Sequence, residues 1–525
     1  MIGKIKLVLS TVKYLKPVQI RYQILYRLKQ VRKFDKYRKA VGSTNIDAFV
    51  FARNVPIYKT YLRHSNFSFL NIQFEFEKKI DWGFQKFGKL WNYNLQYAHY
   101  ILQNDIPKQE KIDLLHSLYG ALQAGDLVLE PYPVSLRSIN VIRFICADKV
   151  NDPNILESLY TELSFLSSRL EFHILGNHLL ENAFALCLGG ALFSNGSWHN
   201  RAIKILRREL DEQILADGAH FELSPMYHNI IFFRLLELID WYRSYDLRDE
   251  DFLKFCRQKA SLMRGWLENI KFQNNDIPLF NDAAKGIAYT PSFLIGYAED
   301  LAISRSNRTL GVSGYRSFKN DLYEIKIDFA QLGASYQPGH AHADALSFIL
   351  YYKGEALFVE QGTSTYQIGK RRNLERSTEA HNTIVVNGEN QSEVWGGFRV
   401  GRRARTTVHE ESSSTYKASH DGYKKYGIIH DRKFILDKRK MQVIDKLSQK
   451  GDAMFYLHIH PNRTLSKINE CQFSIDGNIV ISIEGAAAIG IQDYDYAEEY
   501  NQYKSAKRLA VPFSHDLVTT IFFDD

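Results

Sequence analysis

Ser304-Arg305-Ser306-Asn307-Arg308 is the stretch on which the fold turns. Before it the apolar residues recur at helical spacing. Ile230, Phe233, Leu236 and Trp241 fall on one face of Asn229–Tyr242, with Arg234, Glu237 and Asp240 between them. The same period runs through residues 111–124, 135–148, 155–168, 177–193, 200–215, 251–271 and 291–303, and Gly, Asn and Asp punctuate the gaps. Beyond it the period drops to two. Tyr323, Ile325, Ile327 and Phe329 alternate with Glu324, Lys326 and Asp328. Lys433–Leu436 and Met441–Ile444 flank a charged turn, a hairpin signal. Further strands are predicted at 346–352, 356–360, 383–387, 454–460, 479–484 and 518–523. Antiparallel helical hairpins, enough of them to close into a ring, are therefore followed by a β-sandwich.

The chain has 525 residues, too many for one ordinary core. Apolar content of 45% and charge of 24% are those of a globular protein. Cys146, Cys187, Cys256 and Cys471 lie far apart with no CxxC pair, which excludes a disulfide framework and a zinc-thiolate site and reads as buried free thiols.

Charge is concentrated at the start. Residues 1–40 hold 12 Lys/Arg against Asp35, a net of +11, and since the whole chain carries +8 the remainder carries −3. That confinement argues against nucleic-acid binding. The apolar positions Ile5, Leu7, Val8, Leu15, Ile20, Ile24, Leu25 and Leu28 interleave with Lys13, Lys16, Arg21, Arg27 and Lys29. Such an arm is either a surface helix that touches acidic lipid, an acidic glycan or a partner, or the solvated face of a helix packed on the main body. Lys4, Lys6 and Lys13 interrupt the short apolar run Leu7-Val8-Leu9, so no secretion signal is read. No stretch reaches the roughly 20 apolar residues needed to span a bilayer. The chain is expected to be soluble and cytoplasmic, with the periplasm as the alternative; its oligomeric state is left open.

Three constellations can carry chemistry. In Gly176-Asn177-His178-Leu179-Leu180-Glu181-Asn182, the residues Asn177, His178 and Glu181 fall near one face at the start of a helix, where Asn or His can hydrogen-bond a substrate carboxylate. The loop Asp217-Gly218-Ala219-His220-Phe221-Glu222-Leu223-Ser224-Pro225-Met226-Tyr227-His228 leads into the amphipathic helix and offers Tyr227 as a general acid or base. In Gly339-His340-Ala341-His342-Ala343-Asp344, read as strand-like, His340 and His342 share a face. With His381 and Glu360 they can bind a metal, transfer protons, or divide the two jobs, and a His/His/carboxylate set suits zinc. Trp91 and Tyr93 are candidates for stacking on sugar rings, and Arg137, Arg371 and Arg372 for binding carboxylates. No phosphate loop, dinucleotide fingerprint or GxSxG elbow is present.

From Trp91 to Arg403 these segments, in this order, resemble the heparinase II/III family of polysaccharide lyases. The motifs are Tyr132-Pro133-Val134-Ser135-Leu136-Arg137, Asn177-His178-Leu179-Leu180-Glu181, Phe221 to His228, Gly339 to Asp344, and His381-Asn382-Thr383. The resemblance implies an incomplete (α/α) toroid followed by an antiparallel β-sandwich domain, with the cleft where the two meet. The expected division is a basic arm over 1–45, a toroid over 46–308 and a β-sandwich over 309–525.

It also implies β-elimination at a uronic acid of an acidic polysaccharide, giving a 4,5-unsaturated end. Asn177 with His178 would neutralise the substrate carboxylate. His340 and Tyr227 would serve as base and acid. Trp91, Tyr93, Arg137, Glu181, Glu222 and Arg371 would contact substrate. His342, Glu360 and His381 would hold a structural zinc, with Glu360 standing where the family pattern has Asp. Without an export signal, the expected setting is remodelling of a bacterial surface polysaccharide. Two other readings are kept: a glycoside hydrolase using Asp217 and Glu222 as its carboxylate pair, and a non-catalytic glycan-binding or biosynthetic partner docked through the basic arm.

Overall fold

The computed structural model describes residues 2–28, 33–51 and 55–524. Lys29 and the side chain of Ile5, both assigned above to the amphipathic arm, lie outside the described residues.

The helical half follows its sequence signals closely. Helices span Lys108–Ala124, Pro131–Ala147, Pro153–Ser168, Gly176–Leu192, Gly196–Gln213, Pro225–Tyr242, Glu250–Ile270 and Pro291–Asp300. Four begin with proline at the first turn, where the missing N–H has no intrahelical partner to lose. Side-chain caps fix several starts: Asp152 accepts from Asn154 and Ile155, Asn195 from Trp198, Asp249 from Phe252 and Ser224 from Tyr227. Neighbouring helices pack into an (α/α) toroid around one large apolar core. A further helix, Lys89–Tyr97, escaped the periodicity reading because five of its nine residues are Asn, Gln or Tyr in the run Asn92-Tyr93-Asn94-Leu95-Gln96-Tyr97.

Arg137 belongs to this core. It is 1% exposed and donates to Glu162 through Nε (2.9 Å) and Nη2, and to Gln96 O through Nη1 at 2.8 Å. Its expected contact with substrate is therefore corrected: the guanidinium is spent on a buried ion pair. Trp91 is corrected likewise. It is fully buried, packs against Phe69, Phe84 and Phe87, and donates Nε1 to Ile72 O.

The β half contains an eight-stranded sheet and two four-stranded sheets, all antiparallel, sharing one apolar core. His430–Leu436 pairs with Lys440–Leu447 through Leu436 opposite Met441, as the hairpin signal predicts. Tyr323–Asp328 is a strand as the alternation predicts, and all six of its residues are buried, the polar Glu324, Lys326 and Asp328 included. That face lies on the toroid: Glu324 accepts from Gln273 N, and Lys326 donates to Ser317 and Asn269 O. Thr406–Glu411 is missed by an apolar pattern because five of its six residues are exposed. Of the four thiols, three are buried, whereas Cys471 is exposed. Among the described residues no helix is long and apolar enough to cross a membrane.

Candidate active site

A cleft of about 1600 Å³ opens between the toroid, the β half and the N-terminal helices. Asn177, His178, Tyr227 and His340 all line it, so residues up to 163 apart in sequence meet there.

The hub of the site is a loop that the sequence reading passed over. Asn281 sits at φ 57°, and its Nδ2 donates to Leu223 O while its Oδ1 accepts from His342 N at 2.8 Å. Asp282 is fully buried. It takes two hydrogen bonds from Arg372, one from Nη1 and one of 2.6 Å from Nη2. Its other contacts are His340 Nδ1 at 2.9 Å and His342 Nε2 at 2.8 Å. Ser224 Oγ donates to Asp282 O, which ties the same loop to the helix start that carries Tyr227. Burial alone would raise the Asp282 carboxyl, but Arg372 and the two imidazoles hold it well below the usual range. An ionised Asp282 requires the proton of His340 on Nδ1, leaving Nε2 as the free ring nitrogen.

Segment 340–344 is irregular backbone before the Phe348–Tyr352 strand, which corrects the strand-like reading. His340 and His342 nevertheless converge, because both reach Asp282. The Tyr227 ring stacks on His340 with centroids 3.9 Å apart. Its hydroxyl meets that of Tyr366 at 3.3 Å. Burial raises the Tyr227 phenol, so it stays protonated at neutral pH.

Opposite lies the start of the Gly176–Leu192 helix. Its exposed amides are satisfied from a distance: Glu222 accepts Asn177 N at 2.9 Å and Asn177 Nδ2 at 3.0 and 2.9 Å. Glu222 Oε2 is also 3.6 Å from His340 Nε2. Glu222 is thus 2% exposed and a positioning group, which corrects its expected contact with substrate. Gly176 makes this possible. At φ 59° it is in the left-handed region, and a Cβ there would stand 2.6 Å from Glu222 Oε1. Gly176→Ala is expected to displace Glu222, lower the melting temperature and cut turnover, which a thermal melt and a rate measurement check together.

The His178 ring packs against Tyr132 at 4.3 Å, tilted by 38°, and places Nδ1 3.1 Å from Glu171. Burial disfavours its charged form, but Glu171 outweighs that and raises the His178 pKa. A raised folded-state value stabilises the fold fully below the unfolded value of about 6.5 and is lost as pH rises through the folded value. His178→Gln should therefore remove part of the alkaline loss of stability, read as melting temperature against pH.

Of the remaining expected contacts, Tyr93 lines the cleft and donates its hydroxyl to Glu130 at 2.8 Å. Glu181 also borders the cleft but is fully buried and engaged by Arg234 Nε at 3.0 Å, so it supports the wall instead of binding substrate. Arg371 is corrected: it bonds Glu375 and Asp495 O, lies over Tyr503 and is not among the cleft-lining residues. The hydrolase pair is not brought together either. Asp217 is 3% exposed and accepts from Ser313 N and Oγ, away from the cleft lining.

Behind His342 lies a second cluster. Asp344, Glu360 and His381 are buried with ligand atoms all within 4.8 Å of one another. Of the expected trio, Glu360 and His381 belong to this cluster, while His342 gives Nε2 to Asp282 and keeps Nδ1 without a partner among the described residues; Asp344 adds a carboxylate to the set. Asp344 lay inside the quoted motif, two residues past His342. Burial, with Glu360 adding to it, lifts the Asp344 carboxyl to about 7 despite His381. Asp344 Oδ2 and His381 Nε2 have no hydrogen-bond partner among the described residues, and neither has His342 Nδ1 close by. Together with Glu360 these atoms form a buried donor set of the kind a divalent cation binds.

Two family descriptions match the chain. Residues 84–294 match the heparinase II/III N-terminus, and residues 303–521 match the heparinase II/III-like C-terminal region. The heparin-sulfate lyase of Bacteroides stercoris is 24% identical over 353 residues, 59% of this chain and 51% of that protein. The heparin-sulfate lyase of Pedobacter heparinus is 23% identical over 407 residues, 72% of this chain and 58% of that protein. The chain thus spans about half the length of the curated relatives it matches. Among solved structures, heparinase III superposes with a TM-score of 0.70 at 16% identity, covering 97% of this chain and 92% of the other. A heparan sulfate lyase from Pedobacter heparinus gives 0.57 at 18% identity, covering 88% and 82%.

Proposed function

The chain belongs to the heparinase II/III family, and from that premise we propose that it is a polysaccharide lyase acting by β-elimination on a uronic-acid-containing polysaccharide. The observation that carries this reading is the stacked Tyr227–His340 pair facing the Asn177–His178 helix start across one cleft.

The C5–H of a uronate is too weakly acidic for an imidazole to remove unless the adjacent carboxylate is neutralised. His178, whose charged form Glu171 favours, with Asn177 beside it at the helix start, supplies that neutralisation and stabilises the enolate-like transition state. His340 Nε2 takes the C5 proton, its ring held in place by Asp282 on Nδ1. The electron pair forms the C4–C5 double bond as the C4–O bond breaks, and the departing oxygen takes the Tyr227 proton. Tyr366 hydrogen-bonds Tyr227 and orients its hydroxyl.

Incubation with a panel of uronate polysaccharides, followed by mass analysis, tests the reaction class. Elimination gives fragments with one end lighter by a water than hydrolysis would; fully hydrated ends would favour a hydrolase instead.

The Asp344, Glu360 and His381 cluster fits a divalent cation such as zinc, with His342 beside it. When bound, the ion would neutralise buried carboxylates and anchor the segment that presents His340; its role is structural. Chelation is then expected to lower the melting temperature and zinc to restore it, with Glu360→Gln carrying less metal per chain. An unchanged melt and no bound metal would end this assignment. The proposed substrate is an acidic polymer such as a bacterial surface polysaccharide.

A further inference from the structure

The basic N-terminal arm is not a free tail. Helix α1 (Ile2–Val12) and helix α2 (Pro17–Leu28) lie across both halves of the protein and form a third wall of the cleft. Toward the β half, Trp395 Nε1 donates to Thr11 Oγ1 at 3.2 Å, and the Arg403 guanidinium lies 3.7 Å over the Tyr14 ring. Toward the toroid, Gln19 Nε2 donates to Ile174 O at 3.2 Å, and Tyr26 OH donates to Leu170 O at 2.6 Å. Gln19, Gln23, Tyr26 and Arg27 all line the cleft, and their spacing places them on one helical face. The arm precedes residue 84, where the family match begins.

The charges of the cleft are unequally used. Lys89 is paired with Glu130, Arg143 with Glu237, and Arg234 with Glu181 and Glu237. Arg169 is buried, with its guanidinium over the Tyr26 ring at 5.2 Å. The exposed cations of the lining without a carboxylate partner among the described residues are Arg27 and Arg399. Arg27 is on the arm. Arg399 stacks 4.8 Å over Trp395, the residue on which α1 is anchored. Both free guanidinia thus come from the arm or from the small hairpin, Val394–Trp395 with Arg399–Val400, that the arm rests on.

We infer that the arm and this hairpin form a specificity-determining wall, in which Arg27 toward the toroid and Arg399 toward the β half each read an anionic substituent on sugars away from the bond that is cut. The group recognised is a carboxylate or a sulfate, both of which a guanidinium binds in bidentate fashion. This rests on the lyase reading for its substrate class, but the role of the wall can be measured by binding as well as by turnover.

The experiment compares the full-length protein with Arg27→Ala, Arg399→Ala and Arg27→Lys, on sulfated heparan sulfate oligosaccharides and unsulfated hyaluronan oligosaccharides. Both alanine variants should raise KM and Kd on the order of tenfold while kcat stays within about twofold, and Arg27→Lys should recover most of the affinity. A loss confined to the sulfated series assigns the anion as sulfate; a loss in both assigns it as carboxylate. Should the wild type give no unsaturated product from either, the lyase reading fails, and the Kd values still decide the role of the wall. Unchanged KM and Kd in both alanine variants, with intact thermal melts, would overturn it.

Discussion

Tyr227→Phe is expected to lower kcat by about 10²- to 10⁴-fold with little change in KM or melting temperature. The substitution removes one oxygen and keeps the ring, so the stack on His340 and the packing of the Pro225–Tyr242 helix survive. What is lost is the proton for the departing C4 oxygen. The phenol can supply it because burial raises its pKa and keeps it protonated at neutral pH. His340→Ala should give a loss of similar size through the other half of the proton transfer. Initial rates of unsaturated product, together with thermal melts, separate a chemical defect from a folding defect. A Tyr227→Phe enzyme with near-normal kcat would remove Tyr227 from the acid's role.

Asp282→Asn is expected to damage both stability and turnover. The carboxylate is fully buried and holds Arg372, which is also fully buried, on two hydrogen bonds. Removing the charge leaves a guanidinium unpaired in the interior, a loss of about 3–5 kcal/mol. It also removes the acceptor that fixes the proton of His340 on Nδ1, so the ring nitrogen facing the cleft is no longer reliably free. The melting temperature should fall and turnover should drop by about 10²-fold or more even where the variant is folded. An Asp282→Asn protein as stable and as active as the wild type would contradict the hub assigned to this loop.

The sequence made some of this visible and hid the rest for physical reasons. Helices with proline starts, side-chain caps and an apolar stripe were legible to within a few residues, because each carries its own local signal. The hairpin around Asp437 was legible for the same reason. Exposed strands such as Thr406–Glu411 were not, since an edge strand in water needs no apolar face. Tyr227, His340, His178 and Asn177 were placed on their residue types and the motifs that hold them, and all four line one cleft.

Asp282 could not be found that way. Its importance comes from Arg372, 90 residues later, and from His340 and His342, about 60 residues later. Nothing in Phe280-Asn281-Asp282-Ala283 distinguishes it from an ordinary turn. Arg137 and Trp91 failed in the opposite direction: their residue types suit sugar binding, but burial decided their use. Asp344 was within reach, being two residues beyond His342 in a motif already singled out. The arm's basic charge was evident, whereas its position as a wall of the cleft depends on anchors such as Thr11 with Trp395 and Gln19 with Ile174.

The central claim is that Tyr227 and His340 carry an elimination on a uronate whose carboxylate is held at Asn177 and His178. Ultraviolet absorbance of the unsaturated uronate end, followed during incubation of an acidic polysaccharide with the wild type, Tyr227→Phe and His340→Ala proteins, tests it most directly. The account predicts rising absorbance with the wild type and almost none with either variant, all three proteins being folded. Cleavage without that absorbance, or equal absorbance in all three, would contradict it.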